Sequence, residues 1–406
     1  MSSTIQSYLA ALRGKRVAVV GIGVSNTPLI KMLLRSGVEV SACDKRVRED
    51  FAGRAEELES LGAVLYLGED YLEHLEGADV IFRTPGLRPD VPQLEAARKR
   101  GAVITSEMEA FFEVCPCTTV AVTGSDGKTT TTTIIAGLLK AAGKTVYVGG
   151  NIGKPLLPDV DGMEKGDIAV LELSSFQLMT MDRSPNVAVV TNLAPNHLDV
   201  HKSMSEYIAA KEHIFTYQSP GDLAVFNQDN EITRQFAAAA RGRVTLFSRR
   251  EELKAGVFVR QGAIWAADGA QEREVLPLSD ILLPGEHNVE NYMAAIAAVA
   301  GFVPDETIRA FAKEFGGVEH RIELVRTLNG VRYYNDSIAS SPTRTIAGLR
   351  SFPNKVILIA GGYDKHIPFD VLGPEIREHV KALFLTGDTA GKIRSAVEGT
   401  SGYTGD

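Results

Sequence analysis

Short runs of β-branched residues alternate with helical patterns along most of the chain. This alternation is typical of parallel sheets whose faces are covered by helices, so an α/β fold is predicted. After Arg16–Val20 and again after Thr118–Thr123, a predicted strand enters a glycine-containing turn that leads into a helix. Such turns are common nucleotide-binding points of α/β sheets. The 406 residues suffice for two or three domains of ordinary size.

Three blocks can be separated along the chain. Residues 1–106 are predicted to form a Rossmann-like domain, and residues 107–316 a central P-loop-type, mononucleotide-binding ATPase domain. Residues 317–406 are predicted to form a second Rossmann-like domain. It opens with a hairpin, because Asn329-Gly330 is a dipeptide favoured in two-residue turns.

The last block continues with a helix at 341–351, in which Ser341 is the expected N-cap and Pro342 the first helical residue. Strands are predicted at 355–360 and 382–386. A doubly wound domain normally extends beyond such strands, so this domain is expected to be incomplete at Asp406.

The composition, 44% hydrophobic and 23% charged, is that of an ordinary globular protein. A net charge of −8 argues against nucleic acid as a partner, and no apolar run is long enough to span a membrane. Three cysteines are too few for a disulfide framework, which favours a reducing, cytoplasmic compartment. The pair Cys115 and Cys117 lacks further ligands at zinc-site spacing, so no chemistry is assigned to it.

The segment TGSDGKTT at residues 123–130 is the most informative stretch of the chain. Its glycines let the backbone approach a phosphate, the helix start supplies partial positive charge, and Lys128 adds a full charge. Thr129 is a candidate Mg²⁺ ligand. The segment departs from the standard P-loop at Val122, where a glycine is usual. The predicted ATP-binding residues of this loop are Gly124, Ser125, Asp126, Gly127, Lys128, Thr129 and Thr130.

Five elements in order along the chain resemble those of the Mur ligases and of the related folylpolyglutamate synthases. They are the loop at 123–130, GGNIG at 149–153, LELSSFQ at 171–177, NLAPNHLD at 192–199 and HNVEN at 287–291. SSFQL at 174–178 and GGYDK at 361–365 are more similar to the D-glutamate-adding branch of the family. The resemblance implies an ATP-dependent ligase that adds D-glutamate to UDP-N-acetylmuramoyl-L-alanine through an acyl phosphate, in peptidoglycan precursor synthesis.

The resemblance also implies the groups that neutralise the phosphates. Thr129 and Glu172 are expected to hold one Mg²⁺, and His197 and Lys211 a second. Lys211 is expected to carry a carbamate formed with CO₂, because an ammonium group cannot bind a cation. Lys128, Glu172, His197 and Lys211 form the expected catalytic set. Without the family, Lys211 would be interpreted as a solvated charge on a helix.

Further ATP contacts are implied outside the loop. Asn288 and Asn291 lie three residues apart, so both amides can face one ligand, expected to be adenine. In the last block, Arg321 is expected on phosphate and Asp336 on ribose. Some relatives have lysine two residues after this aspartate, where the chain has Ile338, which leaves the contacts of that loop open.

The first glycine turn, GIGVSN at 21–26, lacks the third glycine of a dinucleotide fingerprint, so it is weak as an NAD motif. Family resemblance instead assigns this block to the UDP-linked substrate. Tight turns without a ligand are the alternative for these glycines. The predicted UDP-substrate residues are Gly21, Gly23, Val24, Ser25, Asn26, Asp44, Lys45, Thr84, Gly86, Asn151, Ser174 and Gln177.

The pocket for D-glutamate is expected to use His197, Lys365 and Ser340. Because no further strand or loop of the expected type follows 382–386, the chain is expected to bind ATP and the UDP-linked substrate but to ligate D-glutamate poorly. Its partners are predicted to be these three small molecules, and it is expected to act as a monomer. The alternatives are another Mur ligase, a folylpolyglutamate synthase, an NAD-dependent oxidoreductase and a nucleotide-binding protein without turnover.

Overall fold

The N-terminal part of the chain forms a five-stranded parallel sheet of order β3-β2-β1-β4-β5. The computed structural model describes residues 4–197, 200–339, 341–364 and 367–402. The strands of this sheet are β1 (Arg16–Val20), β2 (Glu39–Asp44), β3 (Val64–Leu67), β4 (Val80–Arg83) and β5 (Val103–Thr105). The helices of this part are α1 (Ile5–Leu12), α2 (Asn26–Arg35), α3 (Arg54–Ser60), α4 (Pro92–Lys99) and α5 (Glu107–Val114).

The strand order of the N-terminal sheet creates a crevice at its carboxyl edge. β1 lies in the centre, with β2 on one side and β4 on the other. The loops after β1 and β4 therefore leave the sheet in opposite directions, and ligands of open α/β sheets bind at such a point. Residues 17–20 of β1 are buried, as expected for a strand covered on both faces.

The central part is built on a nine-stranded sheet of order β14-β13-β12-β11-β10-β9-β6-β8-β7. Its strands are β6 (Thr118–Thr123), β7 (Val146–Gly150), β8 (Ile168–Glu172), β9 (Val187–Val190), β10 (Leu223–Asn227), β11 (Arg243–Ser248), β12 (Ala255–Arg260), β13 (Ala263–Asp268) and β14 (Glu272–Pro277). Its helices are α6 (Lys128–Ala141), α7 (Ser175–Leu178), α8 (Met204–Thr216), α9 (Glu231–Phe236), α10 (Glu286–Val299) and α11 (Asp305–Ala312). Short 3₁₀ helices lie at Arg48–Phe51, Glu73–Leu75, Leu157–Gly162 and Leu278–Asp280.

Two apolar layers hold the central sheet. On one face, α6 and α10 pack together through residues such as Ile135, Leu138 and Ile296. On the other face, α8 contributes Ile214 and Phe215 to a core that continues into the N-terminal part. Helices α6 and α8 are therefore anchored by burial of their apolar residues, which fixes the position of the backbone where each helix begins.

The C-terminal part contains the hairpin β15 (Glu323–Leu328) and β16 (Val331–Asn335) and the parallel pair β17 (Val356–Gly361) and β18 (Val380–Thr386). Asn329 and Gly330 both have positive φ, at 51° and 78°, so the predicted two-residue turn is confirmed. The helices described in this part are α12 (Pro342–Leu349), α13 (Leu372–His379) and α14 (Ala390–Glu398).

The predicted α/β class is confirmed, with parallel strands in all three parts. Two details differ from expectation. Ser341 precedes α12 as predicted, but its side chain makes no capping hydrogen bond. The antiparallel strands β12, β13 and β14, which extend the central sheet, were not predicted. Among the described residues, no helix is both long and apolar enough to cross a membrane.

Candidate active site

The phosphate loop lies where three adjacent strands of the central sheet end. β6 runs between β8 and β9, so the segments after these three strands meet at one edge. Gly124 and Gly127 have positive φ, at 151° and 78°. A Cβ on Gly124 would lie 2.0 Å from the Thr191 hydroxyl, and one on Gly127 would lie 2.3 Å from Asn291 Oδ1. Both positions therefore require glycine, and the loop is held in place by neighbours that leave no room for a side chain.

Lys128 is the first residue of α6 and folds back over the loop. Its Nζ donates to the carbonyl oxygens of Gly124 and Ser125, each at 2.9 Å. Burial lowers the pKa of Lys128, against the opposing charges of Glu172 and Asp126. The ammonium group thus lies at the amino end of α6, where the helix already carries partial positive charge.

Glu172 is the last residue of β8 and lies within hydrogen-bonding distance of α6, the helix that follows the phosphate loop. One carboxylate oxygen accepts from Thr129 Oγ1 at 2.7 Å, and the other accepts from Asn151 Nδ2 at 2.8 Å. Both Glu172 and the Thr129 hydroxyl supply hard oxygen atoms, which are the ligands that Mg²⁺ prefers. The structure therefore brings together the two residues expected at the first ion.

Lys211 points from α8 into the interior and is only 2% exposed. Its Nζ donates to Thr123 Oγ1 and to the Gly124 carbonyl, both at 2.9 Å, so it shares the Gly124 carbonyl of the phosphate loop with Lys128. Burial, reinforced by the charge of Lys128 and opposed by Glu172, lowers the pKa of Lys211 well below its usual value. The interpretation of Lys211 as a solvated helix charge is therefore wrong.

His197 belongs to an aromatic cluster beside the loop. Its ring lies edge-on to Phe176, with centroids 5.2 Å apart, and Phe176 stacks on His201 at 5.3 Å. His197 has a φ of 54°, an uncommon value for a residue with a side chain. His201 is buried and bonds to Ser175 Oγ at 2.9 Å, and burial lowers the pKa of His201. His201 was not singled out from the sequence.

The two asparagines at the start of α10 share one face, as their spacing predicts. Asn291 Nδ2 donates to Asn288 Oδ1 at 3.1 Å, and Asn291 Oδ1 accepts from the Thr131 hydroxyl at 3.2 Å. Asn288 Nδ2 donates to the Pro284 carbonyl at 2.7 Å. Because Asn291 also limits the space at Gly127, this pair lies directly against the phosphate loop.

Arg321 and Asp336 lie in the C-terminal part, close to each other. Asp336 Oδ1 accepts from the Ile322 amide at 3.1 Å, and burial raises the pKa of Asp336. The Arg321 Nε is buried and has no hydrogen-bond partner within the described part of the chain. Burial and the nearby Arg344 charge lower the pKa of Arg321. Arg344, which donates to the Ile338 carbonyl at 3.3 Å, was missed because nothing distinguishes it within a helical pattern.

A separate cavity of about 300 Å³ opens at the crevice of the N-terminal sheet. Gly21, with a φ of 88°, faces Thr84 so closely that a Cβ would lie 2.9 Å from the Thr84 side chain. Asn26, in place of the third glycine, is buried and donates to the carbonyls of Val20 and Gly21, both at 3.0 Å. The cavity is lined by Val20, Gly21, Gly23, Asp44, Lys45, Arg46, Tyr71, Thr84, Gly86 and Leu87.

Asp44 fixes the shape of this cavity. Its Oδ2 accepts from the Ile22 amide at 2.6 Å, and both carboxylate oxygens accept from Arg46. Burial opposes ionisation, but hydrogen bonds from the Arg46 side chain and from the amides of Arg46 and Ile22 outweigh it and lower the pKa of Asp44. Sequence reasoning missed Arg46 and Tyr71, although the position of Arg46 two residues after Asp44 was a usable signal.

The remaining predicted substrate residues do not all lie in the N-terminal cavity. Asn151, Ser174 and Gln177 lie at the central site instead: Asn151 bonds to Glu172, and Ser174 and Gln177 form the capping box that starts α7. Val24 is 80% exposed beside the first glycine turn, and Ser25 precedes α2 without a capping bond. Ser340 and Lys365, expected near D-glutamate, lie outside the described residues.

The cysteines form no disulfide. Cys43 is buried, and burial raises the pKa of its thiol to about 12. The Sγ atoms of Cys115 and Cys117 lie 3.2 Å apart in the segment between α5 and β6. Cys43 lies on β2 directly before Asp44, whereas Cys115 and Cys117 lie outside the N-terminal cavity and the phosphate loop.

Comparisons with known proteins identify relatives over nearly the whole chain. The profile of the Mur ligase middle domain matches residues 122–299, and that of the N-terminal domain of MurD-like Mur ligases matches residues 15–106. The UDP-N-acetylmuramoylalanine–D-glutamate ligase of Acetivibrio thermocellus is 54% identical over 98% of this chain and 85% of that protein. The protein of the same name from Ruminiclostridium cellulolyticum is 52% identical over 98% of this chain and 85% of its own length.

Solved structures share the fold at much lower identity. MurF from Acinetobacter baumannii superposes with a TM-score of 0.61 at 18% identity, covering 98% of this chain and 88% of that one. The UDP-N-acetylmuramate–alanine ligase from Thermotoga maritima superposes with a TM-score of 0.56 at 21% identity, covering 95% and 88%. The chain belongs to the Mur ligase family, whose members form amide bonds with ATP.

Proposed function

We propose that this protein joins D-glutamate to UDP-N-acetylmuramoyl-L-alanine at the expense of ATP, a step of peptidoglycan precursor synthesis. The identity of 49–54% with relatives named for this reaction, over nearly the whole chain, carries the proposal. The geometry agrees with it, because Lys128, Glu172 and Lys211 meet around one loop at the carboxyl edge of the central sheet.

The reaction has two chemical steps. A carboxylate oxygen of the UDP-linked substrate attacks the γ-phosphorus of ATP, the bond to the β-phosphate oxygen breaks, and ADP leaves. The amine of D-glutamate then attacks the acyl carbon, inorganic phosphate leaves with the former carboxylate oxygen, and the amine loses a proton to give the amide. Both steps gather negative charge at the phosphoryl group, so positive groups fixed there before the reaction lower the barrier.

The residues of the phosphate loop fit the first step. The glycines admit the phosphates to the amides at the start of α6, and Lys128 supplies a full positive charge beside them. We assign ATP binding to Asn288 and Asn291 near the base and to Arg321 and Asp336 from the C-terminal part. The buried Arg321 Nε, which lacks a partner within the described residues, is a donor available to a phosphate oxygen.

We also propose two magnesium ions, and the adjacent hard oxygen donors beside the phosphate loop fit the first of them. The adjacent oxygens of Thr129 and Glu172 would hold one ion, and His197 with Lys211 as a carbamate would hold the other. Mg²⁺, when bound, neutralises charge on the phosphates. Burial beside Lys128 favours the neutral amine of Lys211, the form that reacts with CO₂. We assign His197, Ser340 and Lys365 to the D-glutamate pocket.

We further propose three domains at residues 1–106, 107–316 and 317–406, with the UDP group in the N-terminal cavity and the sugar-side portion reaching Asn151, Ser174 and Gln177. The protein is proposed to act in the cytoplasm, since ATP and UDP-linked precursors are cytoplasmic metabolites. It is also proposed to be a monomer. Its partners would be these small molecules, and the net charge of −8 disfavours nucleic acid.

The proposal is tested by following ADP release from the purified chain with ATP, Mg²⁺ and UDP-N-acetylmuramoyl-L-alanine. We expect release to require D-glutamate and the ligated product to appear by mass spectrometry. L-Alanine, meso-diaminopimelate, L-lysine and D-alanyl-D-alanine serve as comparison nucleophiles. Turnover with one of these instead of D-glutamate would reassign the chain to another Mur activity, and ATP binding without turnover would identify a non-catalytic nucleotide-binding protein.

Replacing Asp44 with asparagine is expected to weaken the UDP-linked substrate selectively. The amide is nearly isosteric, but it loses the charge that holds Arg46 and the Ile22 amide, and a charged hydrogen bond contributes about 1.5–3 kcal/mol. The KM for the UDP-linked substrate should therefore rise by about tenfold or more, while the KM for ATP changes less than about twofold. Steady-state kinetics measure both values, and equal losses for the two ligands would contradict separate sites.

A further inference from the structure

Arg83 is a charged side chain in the interior that none of the steps above uses. It is the last residue of β4 and is only 1% exposed. Burial lowers the pKa of Arg83, and the neighbouring Glu109 charge partly offsets this effect. A buried guanidinium is costly unless its donors are satisfied, so its hydrogen bonds identify what it holds together.

The two terminal nitrogens of Arg83 contact different parts of the protein. Nη1 donates to the carbonyls of Thr84, Pro85 and Leu87, at 3.2, 3.1 and 2.5 Å. These residues form the loop after β4, and Thr84 and Leu87 line the N-terminal cavity. One nitrogen thus fixes the backbone of a loop that borders the proposed site of the UDP group.

Nη2 crosses to the central part of the chain. It donates to the Phe176 carbonyl at 3.2 Å and to Thr180 Oγ1 at 3.1 Å. Phe176 lies on α7, and its ring contacts both His197 and His201. The same helix begins three residues after Glu172 and carries the Ser174 and Gln177 capping box. The second nitrogen therefore fixes an element of the central site.

We propose that Arg83 is a positioning residue that sets the separation between the N-terminal cavity and the phosphoryl-transfer site. This inference rests on the proposed function, in which one substrate spans both places. Its UDP group is held at one end, and its carboxylate must meet the γ-phosphate at the other. A displacement of about 1 Å at the reacting atoms can cost about a hundredfold in rate. The rigid planar fork of arginine satisfies both sides, whereas lysine offers a single nitrogen.

The test compares Arg83→Met and Arg83→Lys with the wild type and with Arg88→Met. Arg88 is a matched control, because it also joins the two parts of the chain, through Glu206 and the Val200 carbonyl. Its side chain donates neither to the loop carbonyls that Arg83 holds nor to α7. We expect Arg83→Met to lower kcat by about a hundredfold, with the KM for ATP within about twofold of wild type. Arg88→Met should lower kcat by less than about threefold.

Arg83→Lys separates positioning from folding. It keeps the charge and can satisfy one side, so we expect near-wild-type thermal unfolding but a kcat still reduced by at least about tenfold. It also serves if Arg83→Met does not fold. Wild-type kcat in the lysine variant, or equal kcat losses in the Arg83 and Arg88 variants, would overturn the inference. Absence of ligation by the wild type with D-glutamate, measured in the same assay, would instead overturn the proposed function.

Discussion

Replacing Lys211 with alanine is expected to abolish ligation while leaving binding of the UDP-linked substrate intact. The side chain is buried, and its Nζ lies 2.9 Å from both the Thr123 hydroxyl and the Gly124 carbonyl of the phosphate loop. Losing even an indirect support of a metal ligand typically costs 10–100-fold, so loss of a proposed ligand should lower kcat by more than about a hundredfold. Steady-state turnover and titration of the UDP-linked substrate measure the two effects.

The carbamate assignment is tested separately from folding. Wild-type protein equilibrated with ¹³C-bicarbonate should show a carbamate carbon resonance that is absent in Lys211→Ala, and acetate should partly restore turnover in the variant. Lys202→Ala is the matched control, because this lysine lies near the same helix but is largely exposed and pairs with Asp90. Unchanged turnover in Lys211→Ala, or an unchanged carbamate resonance, would count against the assignment.

Replacing Lys128 with alanine is expected to remove ATP turnover, by about a thousandfold or more. Its ammonium group lies at the start of α6 over the loop carbonyls, where the β- and γ-phosphates are proposed to bind. An arginine finger that stabilises charge on a transferring phosphoryl group is worth about 10³–10⁵-fold in rate, and Lys128 is proposed to supply charge of the same kind. ADP release under saturating substrates measures the effect.

Lys140 provides the matched control, because it is an exposed lysine near the end of the same helix. Lys140→Ala should retain turnover within about twofold. Thermal unfolding of both variants shows whether the folds are intact. Near-wild-type ADP release by a folded Lys128→Ala protein would rule out a catalytic role for the loop lysine.

The strands that surround the site were predictable because they are short, apolar and bounded by glycine. β1 and β6 have the predicted bounds, and the hairpin at Asn329-Gly330 forms as its turn chemistry requires. β12 to β14 escaped prediction because they are an antiparallel extension with mixed polar faces, in which only part of each strand is buried. The turn at Gln261 and Gly262, both with positive φ, was the available signal.

The site was less predictable than the fold. The glycine loop and Lys128 can be recognised from a short stretch of sequence. The burial of Lys211 instead depends on how α8 packs against the central sheet, and the helical periodicity of α8 does not predict this packing. The contacts of Arg83 are the clearest case of a feature that the sequence does not predict. Its partner Phe176 lies 93 positions away, and nothing in the residues around Arg83 indicates that contact.

The order of strands at the phosphate loop has a consequence for how the protein folds. Thr123 bonds to Leu173, 50 residues later, and to Lys211, 88 residues later. Contacts between such distant segments form slowly, because the loops between them must first be closed. At a synthesis rate of about 5–20 residues per second, the ribosome completes β6 several seconds or more before Lys211 exists. During this interval the loop lacks the neighbours that shape it, so the proposed ATP site is completed late in the folding of the chain.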